Sequence, residues 1–249
     1  MTRTCKPASL ALLGGLLSAT PTLAEDYRAE AGVWVARVDN DGGETGESFG
    51  LQGTYYFSDV GTDDVPLSEA AFLGRDSKIR LEGLRYGIDG GDHFNAQMLS
   101  SDIYLPTRIP LFLSAGLGRN ETLGDGHDTA WNAAIGVTPL DGLRVSTRFS
   151  EGVDYQPNVD LKYVGKLGNS HWFGFGAELA DPDFGDLYWS LTADYFLDET
   201  FKVGAAYNDG YEQWALIAEK FFYRHASIGI SYIHAEFSDG LRLDGAWRF

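Results

Sequence analysis

Leu241-Arg242-Leu243-Asp244-Gly245-Ala246-Trp247-Arg248-Phe249, the end of the chain, changes character at every step. Successive side chains of an extended strand point to opposite faces. Leu241, Leu243, Gly245, Trp247 and Phe249 therefore share one face, and Arg242, Asp244, Ala246 and Arg248 share the other. The same two-residue rhythm recurs upstream. Leu187, Trp189, Leu191, Ala193, Tyr195 and Leu197 oppose Tyr188, Ser190, Thr192 and Asp194. Leu143, Val145, Thr147 and Phe149 oppose Arg144, Ser146, Arg148 and Ser150, and Phe49, Leu51, Gly53, Tyr55 and Phe57 oppose Ser48, Gly50, Gln52 and Thr54.

Working outward from these stretches, the spacing of turn residues predicts strands over 27–38, 47–57, 76–88, 92–104, 108–118, 128–138, 142–150, 158–167, 171–180, 186–197, 200–208, 211–222, 225–236 and 240–249. Fourteen is an even number, as a single-chain barrel with both termini on one side requires. Two runs are irregular. The run 76–88 changes phase near Gly83, which suggests a bulge, and 92–104 loses its pattern after Met98; loss of one pair would leave 12 strands.

A soluble β-sandwich also alternates. The distribution of residue sizes separates the two. One face carries the bulky and aromatic side chains, including Tyr55, Phe57, Tyr195, Phe222, Trp247 and Phe249 at strand ends. The other carries Gly32, Gly50, Gly116, Gly136, Gly174, Gly176, Gly204 and Gly229 beside charged groups. A soluble core cannot be built from glycines and charges, whereas lipid outside and water inside accounts for both faces. Runs of about ten residues match a tilted membrane strand. The reading is an all-β, transmembrane, antiparallel up-and-down barrel of residues 25–249.

Residues 1–24 read as an export signal: Arg3 and Lys6, an apolar run from Ala8 to Leu17, and Thr22-Leu23-Ala24 as the cleavage site. Cys5 lies before the apolar run, so disulfides play no part in the remainder. No later apolar stretch approaches the length of a membrane helix. With 36 acids against 19 bases and a net charge of −17, nucleic acid is excluded as a partner. Half of those acids fall on the connections after odd-numbered strands, with Arg119 nearly the only cation among them. Two readings stay open there: an electrostatic antechamber or divalent-bridged rim, or ordinary solvated turns.

Chemistry is sparse. His93, His127, His171, His225 and His234 are scattered without metal-ligand spacing, and Asp181 to Asp186 lacks the ligand order of a calcium loop. Ser100 and Ser101 would lie about 25 Å from His93 along a strand. No metal, cofactor or catalytic set is expected, and the chain does not read as an enzyme.

The segment Tyr55-Tyr56-Phe57-Ser58-Asp59-Val60, followed by Val65-Pro66-Leu67-Ser68-Glu69-Ala70-Ala71-Phe72-Leu73-Gly74-Arg75, resembles the stretch that marks the general bacterial porins of Gram-negative outer membranes. That resemblance implies an exported barrel in the outer membrane, and it brings no catalytic residues. The segment itself forms the longest even-numbered connection, roughly 58–75. Pro66 can start a helical turn and Ser68 to Phe72 favours helix. It would either pack Leu67, Phe72 and Leu73 against the barrel mouth or fold inward as a constriction.

The expected function is passive diffusion of small hydrophilic solutes or ions; the alternative is a non-conducting barrel with a structural or surface-binding role. Inward bases Arg80, Arg85, Arg144, Arg148, Lys162, Lys166, Lys202 and Arg242 would line the pore, opposed by Glu30, Glu82, Asp160, Glu178, Asp194 and Glu219. Arg144 and Arg148 would form a basic patch, since their strand carries no inward acid; pairing that braces the wall is the other outcome. Expected partners are outer-membrane lipid and lipopolysaccharide, the solutes, and the barrel-assembly machinery through the terminal strand.

Overall fold

A computed structural model describes residues 26–88, 93–122, 126–151, 158–168, 171–180 and 187–249. Residues 1–24, read above as an export signal, and the acidic stretch 181–186 lie outside the described residues. Fourteen strands follow in order: β1 (Tyr27–Asn40), β2 (Thr45–Val60), β3 (Lys78–Ile88), β4 (His93–Leu105), β5 (Leu111–Thr122), β6 (Gly126–Leu140), β7 (Leu143–Ser150), β8 (Val159–Leu167), β9 (His171–Ala180), β10 (Tyr188–Asp198), β11 (Phe201–Asn208), β12 (Gln213–Phe222), β13 (Ala226–Ala235) and β14 (Ser238–Arg248). Each strand pairs antiparallel with its chain neighbours, and β1 closes the ring against β14 from Glu30↔Arg248 to Asn40↔Ser238. The terminal residue belongs to the closure, since the Arg28 amide donates to the Phe249 carbonyl at 2.7 Å.

The cross-strand register fixes the tilt. Direct pairs lead from Glu30 through Thr54, Arg80, Ser100, Gly116 and Asn132 to Ser150, from the low end of β1 to the high end of β7. They lead onward from Leu143, at the low end of β7, through Tyr163, Phe175, Ala193, Ala205, Leu216, Tyr232 and Leu241 to Arg37. Ser150 lies 7 residues above Leu143 and Arg37 lies 7 above Glu30, so one circuit climbs 14 residues, one per strand. A shear equal to the strand number gives the steep tilt typical of such barrels. A ring at constant height therefore steps back one residue per strand from the direct pairs.

The expected bulge near Gly83 is absent. The β2–β3 register runs unbroken from Gly46↔Ile88 to Tyr56↔Lys78. Lys78, Arg80, Glu82, Leu84 and Tyr86 share the inward face; Ile79, Leu81, Gly83, Arg85 and Gly87 share the outward one. The phase change suggested by the sequence arose because two bulky residues, Leu84 and Tyr86, point into the lumen. The Tyr86 ring occupies space above Gly46, where a Cβ would collide with it. In the same way a Cβ at Gly50 would overlap the Trp34 indole. The glycines on the inward face thus serve as floors under large lumenal side chains. β4 is likewise continuous past Met98, pairing with β5 down to Leu105↔Leu111.

The outer wall is apolar around its waist, with Leu81 and Leu117 among its most exposed residues. Aromatic rings mark both edges: Tyr55, Phe57, Tyr195, Phe222 and Phe249 at the end bearing the chain termini, and Trp189, Tyr207, Trp214 and Tyr232 at the other.

The connection between β6 and β7 contains Gly142 at φ +72, where a Cβ would collide with the Val164 carbonyl. Gly168 has a similar φ of +71 but open space around it. Gly142→Ala is expected to cost more than the ~1–2 kcal/mol of left-handed strain alone, whereas Gly168→Ala costs only the strain. Thermal unfolding midpoints of the two variants in detergent measure the difference.

Candidate functional site

The connection between β2 and β3 is not a surface turn. It runs across the mouth of the barrel at the end bearing the termini, through a 3₁₀ turn at Leu67–Glu69 and a short helix α1 at Ala70–Leu73. Pro66 opens the turn without a donor to waste, and Ala-Ala-Phe-Leu supplies good helix formers. Val60, Leu67 and Ala70 are buried, and Tyr27, Tyr56, Val60 and Ala70 form a small apolar core with Val65 and Ala71 packed against it.

Its anchors are spread around the ring. The Leu67 amide donates to the Glu199 carbonyl on the β10–β11 turn at 2.7 Å, and Arg248 of β14 donates to the Leu67 carbonyl at 2.9 Å. Glu69 reaches Lys162 of β8 at 2.6 Å. Arg224, on the β12–β13 turn, donates to Thr62 and Asp63 at 3.0 and 3.1 Å, and Arg75 pairs with Asp141 on the β6–β7 turn at 2.8 Å. The Phe72 ring lies 4.5 Å from the Lys162 ammonium and 5.7 Å from the Arg144 guanidinium. Residues 61–77 form a plug. Of the two outcomes open for this segment, the inward one holds, because the lumen offers cations and aromatic surface that a single exposed turn could not use.

Above the plug the wall is charged, and most of its charges are paired. The pairs are Lys78–Asp102 at 3.4 Å, Arg80–Glu82 at 3.3 Å, Arg148–Asp160 at 3.4 Å, Lys202–Glu219 at 3.4 Å, Arg242–Asp244 at 2.6 Å and Arg248–Glu30 at 2.7 Å. Glu178 accepts from Asn158 at 3.2 Å, Asp194 stands opposite Gly174 and Gly204, and Lys166 lies over the Trp172 ring at 5.1 Å. Arg144 is held by rings, 4.3 Å from the Phe112 centroid with Tyr104 as a hydrogen-bond partner. Arg144 and Arg148 do not make an open basic patch: the first is stacked and the second finds its acid on the next strand.

Arg85 departs from the expectation. It pairs across with Phe49 and Asn95 on the outward face, in register with Val35 and Leu243, and takes no part in the lumen. The unbroken register of β3 is the reason.

Three lumenal groups were not singled out in the sequence. Trp34 stacks on Arg242 at 4.4 Å; its signal was an aromatic ring on the parity otherwise given to glycine. Lys78 and Asp102 meet across β3 and β4, and Glu69 is brought in from a connection, so neither was legible from strand alternation. Trp34, Gln52 and Arg242 line two lumenal cavities at once. One, of about 440 Å³, also touches Glu82, Leu84, Met98, Asn120 and Asn132. The other, of about 260 Å³, touches Glu30, Lys202, Glu219, Asp244, Arg248 and, on its floor, Ser68 of the plug. These three side chains form the waist between the cavities.

The family model described as "Putative general bacterial porin" matches residues 118–242. The chain belongs to this porin family. The match covers β6 to β13 with parts of β5 and β14, and not the 55–75 segment on which the resemblance in the sequence rests. Among solved structures, the porin is similar to the outer-membrane protein Omp33 of Acinetobacter baumannii, at 24% identity and a TM-score of 0.75 over 90% of this chain and 99% of that one. That likeness is one of fold. KdgM porin, solved in complex with disordered oligogalacturonate, aligns loosely at 9% identity and a TM-score of 0.43 over 88% of this chain and 99% of that one. No curated protein matches the chain.

Burial holds the Asp76 carboxyl, at the end of the plug, above the ordinary carboxylate range, against the Ser58 hydroxyl that donates to it at 3.0 Å. The folded state then binds a proton more readily than the open one, so closure strengthens as pH falls through the raised value. Amide protection of residues 61–77, taken relative to the intrinsic exchange rate at each pH, should rise on acidification, and Asp76→Asn should flatten that dependence. Glu69→Gln leaves Lys162 without its charge partner and should weaken closure by about 1–3 kcal/mol; limited proteolysis within 61–77 reads the loss.

Proposed function

We propose that this porin is a narrow channel in the outer membrane of a Gram-negative cell, passing small hydrophilic solutes with little preference for either sign of charge. The observation that carries this is the group Trp34, Gln52 and Arg242 shared by two cavities inside a closed barrel, one mainly polar and one of mixed lining. Fourteen strands lie between the filled eight-stranded barrels and the open channels of 16–18. Lumenal bases and acids that are mostly paired, with two further bases held on rings and two further acids beside them on the wall, offer solutes hydrogen bonds without a strong field of one sign. The acidic connections at the far mouth concentrate cations only at the entrance, and salt screens that effect over about 10 Å.

Passage requires the plug to yield. A non-conducting barrel is the second reading, and the breadth of the plug's anchoring favours it. Planar-bilayer recording separates the two. The channel reading expects small steps from the wild type, with a reversal potential near zero, and larger steps from Trp34→Ala and from the plug-loosening pair Glu69→Gln with Phe72→Ala. Arg148→Ala should move the reversal potential toward cations and Asp160→Asn toward anions. Folded protein that never conducts in any of these variants is the non-conducting barrel.

A further inference from the structure

The outward face of a membrane barrel should carry no ionised groups across its apolar belt, because charge there is costly and the cost vanishes only at the interface. Three arginines nevertheless face outward near the end away from the chain termini: Arg37 on β1, Arg85 on β3 and Arg119 on β5. Their positions are related. The direct partner of Arg37 two strands away, through Glu47, is Gly87; stepping back the two residues that the shear demands gives Arg85. The direct partner of Arg85, through Asn95, is Glu121; stepping back two gives Arg119. All three stand at one height around the wall, about 12 Å apart by strand spacing and tilt.

What lies above and below them is layered. One side-chain step toward the membrane centre come Val35, Gly83 and Leu117, with Leu81 one step further down β3 and Phe49 and Leu243 on the strands beside β1 and β3. One step toward the rim come Asp39 and Glu121, with Glu47 and Asp239 on the strands between and beside them. The order is apolar, then basic, then acidic, the order in which a bilayer leaflet presents acyl chains, phosphates and the cation-rich headgroup layer. Arg85 and Arg119 make no ion pair among the described residues. Arg37 holds Asp39 at 3.1 Å in a pair that is about 60% exposed on both sides, an arrangement of little strength that a phosphate can displace. A concave groove of about 760 Å³ opens over Arg37, Arg85, Phe49, Leu241 and Leu243, with Asp39, Glu47, Asp239 and His93 also lining it and Arg119 outside it. On the opposite side of the barrel Trp189, Tyr207 and Trp214 stand one to two residues below this height, with His234 beside Trp214 and paired to Asp239.

We propose that Arg37, Arg85 and Arg119 form a binding row for a phosphorylated glycolipid of the outer leaflet, with phosphates on the guanidiniums and acyl chains in the groove below. Guanidinium and phosphate pair through two parallel hydrogen bonds, and adjacent arginines suit a headgroup bearing phosphates at both ends of a disaccharide. The row orients the barrel by a polar grip on one side and an aromatic one on the other. The inference rests on the outer-membrane reading and is independent of conduction.

The test is binding of purified bisphosphorylated lipid A to the folded, detergent-solubilised protein, read by native mass spectrometry. Wild type should retain it, the triple variant Arg37→Gln, Arg85→Gln, Arg119→Gln should bind at least tenfold more weakly, and the single variants should fall between. Monophosphorylated lipid A should bind several-fold less than the bisphosphorylated form. Lys220→Gln, outward at the opposite end, should change nothing, and heat-modifiable gel migration confirms that each variant is folded. Equal retention by the triple variant, or equal binding of phosphatidylcholine, would overturn the proposal. So would displacement of the lipid by millimolar inorganic phosphate, which marks a free-anion site. Because the assay needs no conduction, its failure leaves the channel reading standing, and a silent bilayer recording leaves this one standing.

Discussion

A β-strand in hydrocarbon has nowhere to place an unpaired amide except on another strand, and every other feature of this molecule follows from that demand. The ring must close, so the first strand must meet the last, and the register of that meeting commits all of the others. Here closure runs along most of β1 and continues to the carboxyl-terminal residue. Once the pairs are set, tilt and circumference are set with them, and the barrel encloses more space than its inward side chains of ordinary size can fill.

The molecule deals with that space in two ways. Bulky groups such as Trp34 and Tyr86 lean into the lumen over glycines that have no side chain to obstruct them, and a connection folds back to occupy one mouth. The plug is held by charge and ring contacts rather than by a large apolar core, which suits a segment that faces a polar interior. Its ties reach strands and turns around the ring, so no single contact carries the closure. Many lumenal charges meet an opposite charge on the same strand, the adjacent strand or the plug, while Arg144 and Lys166 rest on rings, which lowers the cost of partial burial.

The outer surface obeys a different rule. Lipid selects for apolar bulk at the waist, aromatic rings at the edges and charge only where headgroups begin. The placement of Arg85 joins the two surfaces: removed from the lumen by an unbroken register, it falls in line with Arg37 and Arg119 at the upper edge of the apolar belt.

Strand number and the inward and outward parity of most residues were legible in the chain, because period-two alternation under the opposing demands of lipid and water is a local signal. Trp247 and Arg248 declare their sides with no knowledge of their partners. What alternation could not reveal was anything that depends on neighbours from distant strands. The supposed bulge at Gly83 came from reading Leu84 and Tyr86 as lipid-facing, and only the pairing of β3 with β2 and β4 returned them to the lumen and Arg85 to the wall. Helix-forming residues at 68–72 were visible, but Glu69 meeting Lys162 requires the circumference of the ring to bring the two together. Local physics decides which face a side chain prefers; closure decides which residues share that face at the same height, because register and shear are properties of the whole ring.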